Sequence, residues 1–332
     1  MSSSIRWGFV GLGRIAHAFA RDLALFEDAD LVAVGSRSES NAQSFADEHG
    51  AHRAYGSYQA VISDPDVDIV YVATPHCTHA DLSIAALEAG KHVLCEKPVA
   101  INMDEVQSMV EAARANNRFF MEALWSRFNP VICEALDRVQ HGDIGTVRYV
   151  QADFTFLVDE VEGARMHDPE QGGGSLLDMG IYPLFLAYLV LGMPASVTAR
   201  MVAHATGVDQ QMAVILQYPE AMATTYSGFA SQSNMQATVS GDEGRLVLHP
   251  VWHEPDAYSI LKNNAWEGER VTRPRRGHGL AHEIEACHQS IRSGRIECPL
   301  WTHQDSLNLM QILDQARESA GLTYPFENRQ RS

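Results

Sequence analysis

Apolar and polar positions along the first third of the chain switch between two periods. Ile5 to Val10 is a short apolar run, read as a strand. In the next segment, Ile15 to Phe26, the residues Ile15, Ala18, Phe19, Leu23 and Phe26 recur at helical spacing. Asp30 to Gly35 reads as a second strand, and Ser40 to His49 as a helix with Gly50 placed to cap its end. After the Asp64-Pro65-Asp66 turn, Asp68 to Ala73 is again an apolar strand. Ala80 to Ala89 is a helix closed by Gly90, His92 to Cys95 a strand, and Asp104 to Ala115 a helix. Near-continuous apolar strands separated by helices predict a parallel sheet covered on both faces.

The pattern then changes. Val147 to Phe156, Ser196 to Ala205, Gln210 to Tyr218, Met222 to Phe229, Met235 to Val239 and Arg245 to Leu248 read as strands. Several alternate polar with apolar, and turn pairs such as Pro219-Glu220 and Gly241-Asp242 separate them. This predicts a large open, mostly antiparallel sheet with one face covered and the other available as an oligomer interface. A helix over Leu176 to Leu191 interrupts it. Helices His282 to Ser293 and Asp305 to Ala320, the latter stopped by Gly321, close the chain. A chain of 332 residues exceeds one ordinary core. The expected division is 1–123 and 124–332, an α/β domain followed by an α+β domain, with the last helix able to pack back on the first.

Composition narrows the function classes. Hydrophobic residues make up 45% and charged residues 20%, ordinary for a globular protein. Lys and Arg number 25 against 42 Asp and Glu, a net charge of −17. Such a surface repels phosphate backbones and anionic lipid, so neither nucleic acid nor membrane is an expected partner. The one basic cluster, Arg270 to Arg276, reads as a loop. The five cysteines are odd in number, widely spaced and without C-x-x-C, which fits free thiols in a reducing compartment. With no secretory signal before the first strand and no apolar run judged long enough to cross a bilayer, a cytoplasmic protein is expected.

Strand one runs into Gly11-Leu12-Gly13-Arg14-Ile15-Ala16, a G-x-G-x-x-A between strand and helix. The first Gly permits a tight turn, the second lets backbone approach a pyrophosphate, and the small third residue packs helix on strand. The helix N-terminus then offers N–H groups to phosphate. This makes the first domain a Rossmann-type doubly wound dinucleotide-binding sheet. Strand two ends in Gly35-Ser36-Arg37-Ser38, with no acid to hold a ribose diol. Arg37 and the serines suit a 2′-phosphate, so NADP is expected over NAD. An Arg37 that merely stacks on adenine leaves the site dual-specific.

Two further constellations carry candidate chemistry. Cys95-Glu96-Lys97-Pro98 ends a strand, where ligands of doubly wound sheets bind, and Lys97 points toward the cleft. The second is Gly172-Gly173-Gly174-Ser175-Leu176-Leu177-Asp178-Met179-Gly180-Ile181-Tyr182. Three glycines allow close approach of backbone to a ligand, and Ser175 with Asp178 reads as a capping box. Asp178 and Tyr182 lie at i and i+4 of a regular helix, on an apolar stripe with Phe185 and Tyr188. A carboxylate there needs a partner or a ligand. Pro183 should kink that helix or delay its start. No metal site is expected: Thr74-Pro75-His76-Cys77-Thr78-His79 has no second cluster to complete a tetrahedron, and His79 caps the next helix or lines the cofactor cleft.

Together these residues resemble the Gfo/Idh/MocA oxidoreductase family. The motifs are GLGRIA at Gly11, TPHCTH at Thr74, GKHVLCEKP at Gly90 and GGGSLLDMGIY at Gly172. The stretches Met121 to Pro130 and Ala320 to Phe326 are similar to the subgroup of NADP-dependent D-xylose dehydrogenases and dimeric dihydrodiol dehydrogenases. The resemblance implies hydride transfer between nicotinamide and a ring carbon of a sugar, polyol or cyclic diol. It implies cofactor contacts from Gly11, Gly13, Arg14, Ile15, Ser36, Arg37, Thr74, Pro75, His79, Glu96, Lys97, Trp125 and Arg127. Lys97 would hold the substrate oxygen and the nicotinamide ribose, Tyr182 would donate and accept the proton, and Asp178 and Arg165 would bind substrate. Many relatives carry His where this chain has Tyr182. Homodimers or homotetramers formed through the second sheet are also implied. Two other readings stay open within the fold: a glycosidase that uses its cofactor transiently, and a cofactor-sensing regulator without turnover. Retention of Lys97, Asp178 and Tyr182 together argues against the regulator. Specificity is expected from loops 156–171 and 252–274.

Overall fold

The structure is a computed structural model that describes residues 4–158 and 165–330, the last three of these by backbone alone. By packing, the chain divides into two compact units, 1–128 with 275–307, and 129–274 with 308–332.

The first unit is built on alternating strand and helix: β1 (Ile5–Val10), α1 (Arg14–Leu23), β2 (Ala29–Gly35), α2 (Glu39–His49), β3 (Arg53–Tyr55), α3 (Tyr58–Ile62), β4 (Ile69–Val72), α4 (His79–Glu88), β5 (His92–Glu96), α5 (Met103–Ala115) and β6 (Phe120–Ala123). The six strands are parallel in the order β3-β2-β1-β4-β5-β6, the doubly wound arrangement. Their apolar sequences follow from burial on both faces: β4 is buried throughout, and β1 at all positions but Arg6. Phe19 of α1 stacks on Tyr71 of β4 with ring centres 4.0 Å apart.

The second unit begins with α6 (Pro130–Gln140) and β7 (Val147–Thr155). Then come α7 (Ile181–Leu191), β8 (Ser196–Ala203), β9 (Asp209–Gln217), β10 (Met222–Gly228), β11 (Ala237–Gly241), β12 (Gly244–Leu248), β13 (Ala257–Lys262) and β14 (Glu269–Thr272). The eight strands run β14-β13-β12-β11-β7-β10-β9-β8, antiparallel except for the β7–β10 pair. Helix α7 packs on β7 and β10. Alternation decides the faces: along β9, Met212, Val214 and Leu216 are buried while Ala213, Ile215 and Gln217 are exposed.

The segment 252–274, expected as a loop, contains β13 and β14, and β14 takes in part of the basic cluster at Arg270. Of the other expected loop, residues 159–164 lie outside the described residues. Pro169–Leu191 is, by length and composition, apolar enough to cross a membrane, contrary to the sequence expectation. Of its most apolar 18-residue window 72% is buried, as in a core helix.

The chain closes with α8 (Ala281–Arg292), α9 (His303–Ala320) and α10 (Pro325–Gln330). The expected division at 123/124 lacked the return of residues 275–307 to the first unit. Specific bonds hold that return. The Asp22 carboxylate accepts the backbone N–H groups of His278, Leu280 and Ala281 at 2.7, 2.9 and 3.0 Å. Trp7 Nε1 meets His288 Nε2 at 3.1 Å. Hydrophobic periodicity shows that α8 exists but not which core receives it.

Candidate active site

In the first unit the turn after β1 fits a dinucleotide. Gly11 has φ +88°, and a Cβ there would lie 2.5 Å from the Ala73 carbonyl oxygen. The turn thus closes tightly on the end of β4. Gly13 differs: a Cβ on it would meet nothing within 4 Å. The protein itself does not demand glycine at 13, and the open space before it suits an approaching phosphate. Among the described residues no side chain caps α1 at Gly13 and its first turn holds no acid, so the N-terminus, with Arg14 and Ile15, suits an anion. At the end of β2, Arg37 is exposed and forms no ion pair among the described residues. Ser38 caps α2 through the Asn41 N–H at 3.4 Å, and Ser36 Oγ accepts the Ser38 N–H at 3.2 Å.

Lys97 follows β5, half-buried, in a turn braced from below. Glu96 is buried and faces inward: it accepts the Tyr71 hydroxyl and, at 3.2 Å, the Lys97 N–H. The Glu122 carboxylate on β6 accepts the Val99 N–H at 3.0 Å, Ser306 Oγ at 2.7 Å and Trp301 Nε1 at 3.2 Å. Burial pushes Glu122 above the usual carboxylate range, against the pull of these donors and of the Lys97 charge. His79 does not cap α4. Its ring is fully buried, Nε2 lying 2.8 Å from the Thr74 carbonyl oxygen and Nδ1 2.9 Å from that of Pro98. It ties the Thr74-Pro75 strand end to the turn that carries Lys97. Trp125 and Arg127 lie on a 3₁₀ turn, Trp125 against Gly279, where an added Cβ would come within 2.9 Å of the indole.

In the second unit the glycine triplet serves the protein's own packing. A Cβ on Gly173 would lie 2.6 Å from the Arg165 carbonyl oxygen, and one on Gly174, at φ +118°, 2.1 Å from Asp209 Oδ1. Close backbone approach is real, but to Arg165–Asp168 and Asp209 instead of a ligand. The expected capping box is absent. Ser175 donates to Asp209 Oδ2 at 2.8 Å, and the Leu176 N–H reaches the same oxygen at 2.7 Å. Burial raises the Asp209 carboxyl to about 7.

The helix is not regular. Leu176–Gly180 forms a π turn and α7 starts only at Ile181, which places Pro183 in the first turn, where a missing N–H costs nothing. Helical bonding is thus delayed around Pro183, and π turns are frequent at functional sites. Asp178, on the π turn, pairs with Arg165 at 3.0 Å, the partner that its apolar setting required. Tyr182, 4% exposed, lies against both Phe154 and His253, with ring centres 5.4 and 5.2 Å away. Phe154 and His253 stack on each other at 4.0 Å. Sequence reading missed Glu122, Phe154, Asp209 and His253. Only Glu122, an acid inside an apolar strand, carried a signal. The arrangement offers a phosphate cradle and a lysine on one unit, and an ion-paired carboxylate and a buried phenol on the other.

Residues 5–124 match the GFO/IDH/MocA oxidoreductase family, NAD-binding Rossmann fold, and residues 132–247 match the GFO/IDH/MocA C-terminal domain. The trans-1,2-dihydrobenzene-1,2-diol dehydrogenase of Bos taurus is 36% identical over 335 residues, covering 97% of this chain and 98% of its own. A 3-ketoreductase from Actinomadura kijaniata, solved with TDP-benzene and NADP, has a TM-score of 0.84 and 27% identity over 96% of this chain and 98% of its own. The aldose-aldose oxidoreductase from Caulobacter crescentus gives 0.85 and 28% over the same shares.

Proposed function

We propose that this chain, which belongs to the GFO/IDH/MocA oxidoreductase family, is an NADP-dependent dehydrogenase of a sugar or cyclic diol. It is an oxidoreductase of hydroxyl groups, and both the relatives named dihydrodiol dehydrogenase and the sugar-handling structural neighbours support a polyol or sugar substrate. The observation that carries the reading is Tyr182, a buried phenol one turn from the ion-paired Asp178. An unreactive binding protein has no use for a phenol and a carboxylate so placed.

Bound nicotinamide supplies or accepts the hydride. Tyr182 takes the proton of the reacting hydroxyl as the carbon is oxidised, and returns it in reduction. Lys97 would hold the substrate oxygen and the nicotinamide ribose, and its charge would favour deprotonation of a neighbouring acid. Arg165 orients the Asp178 carboxylate, which accepts a second substrate hydroxyl. Phe154 and His253 exclude water around the phenol. The exposed Arg37, with no ion pair among the described residues, would receive the 2′-phosphate of NADP together with Ser36. The exposed face of the second sheet joins copies into a homodimer or homotetramer, and five widely spaced cysteines with no disulfide among the described residues are consistent with a cytoplasmic location.

The test is nicotinamide absorbance with NADP or NAD and a panel of aldoses, inositols and trans-dihydrodiols. Reduction of NADP by at least one of them is expected. No reduction with any substrate would remove the dehydrogenase reading. Equal rates with NAD would remove the assignment of Arg37.

A further inference from the structure

On the outer surface of the first unit, away from the residues assigned to the reaction, two imidazoles and a carboxylate converge. His17 lies in the second turn of α1, and Glu48 and His49 end α2. His17 Nδ1 is 2.8 Å from His49 Nε2, 3.3 Å from Glu48 Oε2, and Glu48 Oε1 is 3.4 Å from His49 Nε2. We propose that His17, Glu48 and His49 form a binding site for a divalent transition-metal ion of the zinc class, joining α1 to α2.

The geometry fits that ion. With zinc–ligand bonds of about 2.0–2.1 Å, neighbouring ligand atoms of a tetrahedron are ~3.3 Å apart. Each imidazole lies at about that separation from one carboxylate oxygen, His17 Nδ1 from Oε2 and His49 Nε2 from Oε1, so a small rotation of the carboxylate brings one oxygen to both. The His–His edge, now closed by a hydrogen bond, opens by about half an ångström when a metal replaces the shared proton. The rings are held for it. Phe45 of α2 packs against both, its centre 4.6 Å from His17 and 4.4 Å from His49. His49 is nearly buried, which fixes one ligand, while His17 and Glu48 remain partly open, so water can fill the fourth position.

Arg21 holds Oε1 at 3.2 Å, which leaves Oε2 turned toward His17. Nitrogen and carboxylate donors in this number exclude the hard cations that need six or more oxygens, and favour zinc, nickel or copper. A metal here would bind two elements that each begin beside the proposed dinucleotide site: α1 starts after Gly13, and α2 follows Arg37.

The test is calorimetric titration of Zn²⁺ into the metal-free full-length chain, with thermal unfolding alongside. One ion per chain and a raised unfolding midpoint are expected. In His17→Ala and in Glu48→Gln, both at partly exposed positions, the affinity should fall roughly tenfold or more and the rise in midpoint should vanish. Zinc binding unchanged in both variants would overturn the site, because the ion would then be held elsewhere, such as on cysteine thiols. No binding to the parent chain would overturn it as well.

Discussion

Two buried residues of the second unit make opposite demands on a substitution. Tyr182 packs through its ring and reacts through its hydroxyl, so Tyr182→Phe keeps the contacts with Phe154 and His253 and deletes only the proton carrier. The variant should fold normally and lose ~10²–10⁴-fold in kcat with NADP affinity unchanged, the range for loss of a general acid–base. Full turnover by that variant would exclude Tyr182 from the reaction. Asp209 is held by its protonation state instead. Burial places its folded carboxyl at about 7, whereas the ordinary value is 3.8. The folded chain therefore keeps a proton that the unfolded chain releases. Stability from this group is fully present below the unfolded value and is lost as pH rises through the folded one. Asp209→Asn removes that titration. Its unfolding midpoint should fall less than the parent's between about pH 5 and about pH 8, and parallel curves would refute the assignment.

Elements were legible in sequence where burial is nearly uniform along their length or, as in β9, alternates strictly. β1, β2, β4 and β5 are apolar because both faces are covered, and α2 announces its end with Gly50 at φ +76°. β13 and β14 were hidden by Pro255, Asn263, Asn264 and Gly268, turn residues that interrupt any period-two pattern. The Gly172–Gly174 run was legible as a place of close approach, but a glycine does not say what approaches it. The structure answers with a carboxylate and three carbonyl oxygens from the chain itself. This makes the triplet an element-scale requirement: it sets the path into the π turn that carries Asp178. Gly174→Ala combines a left-handed backbone angle with an impossible contact on Asp209, and should cost at least ~2 kcal/mol in denaturant unfolding. An unchanged midpoint would show that the loop relaxes freely. The sequence could not reveal the π turn, since Asp178 and Tyr182 have the same spacing in a regular helix.

At the scale of the whole molecule, the return of residues 275–307 to the first unit was invisible because its anchors are single polar atoms. Nothing in the surroundings of Asp22 in sequence marks it as the acceptor for three backbone N–H groups more than 250 residues away. The exposed face of the second sheet, by contrast, follows from alternation that can be read in β9. A chain of net charge −17 can associate with its own copies only where charge is sparse. Around Ile215 the register places Thr198 on one side and Thr224 on the other, with Ala213 and Gln217 along the strand. Val202, Ile215 and Met222 are large apolar side chains exposed on these three strands, at 54, 44 and 39%. That composition suits a self-complementary interface, in which each residue near the two-fold axis faces itself. Ile215→Asp would then bring two carboxylates into one desolvated patch, while leaving the buried face of β9 and the packing of α7 untouched. The parent should show a multiple of the chain mass by light scattering and the variant the mass of one chain, with its helical and sheet content preserved. Equal masses for the two proteins would move the interface off this face, because no association through it could tolerate a charge at its centre.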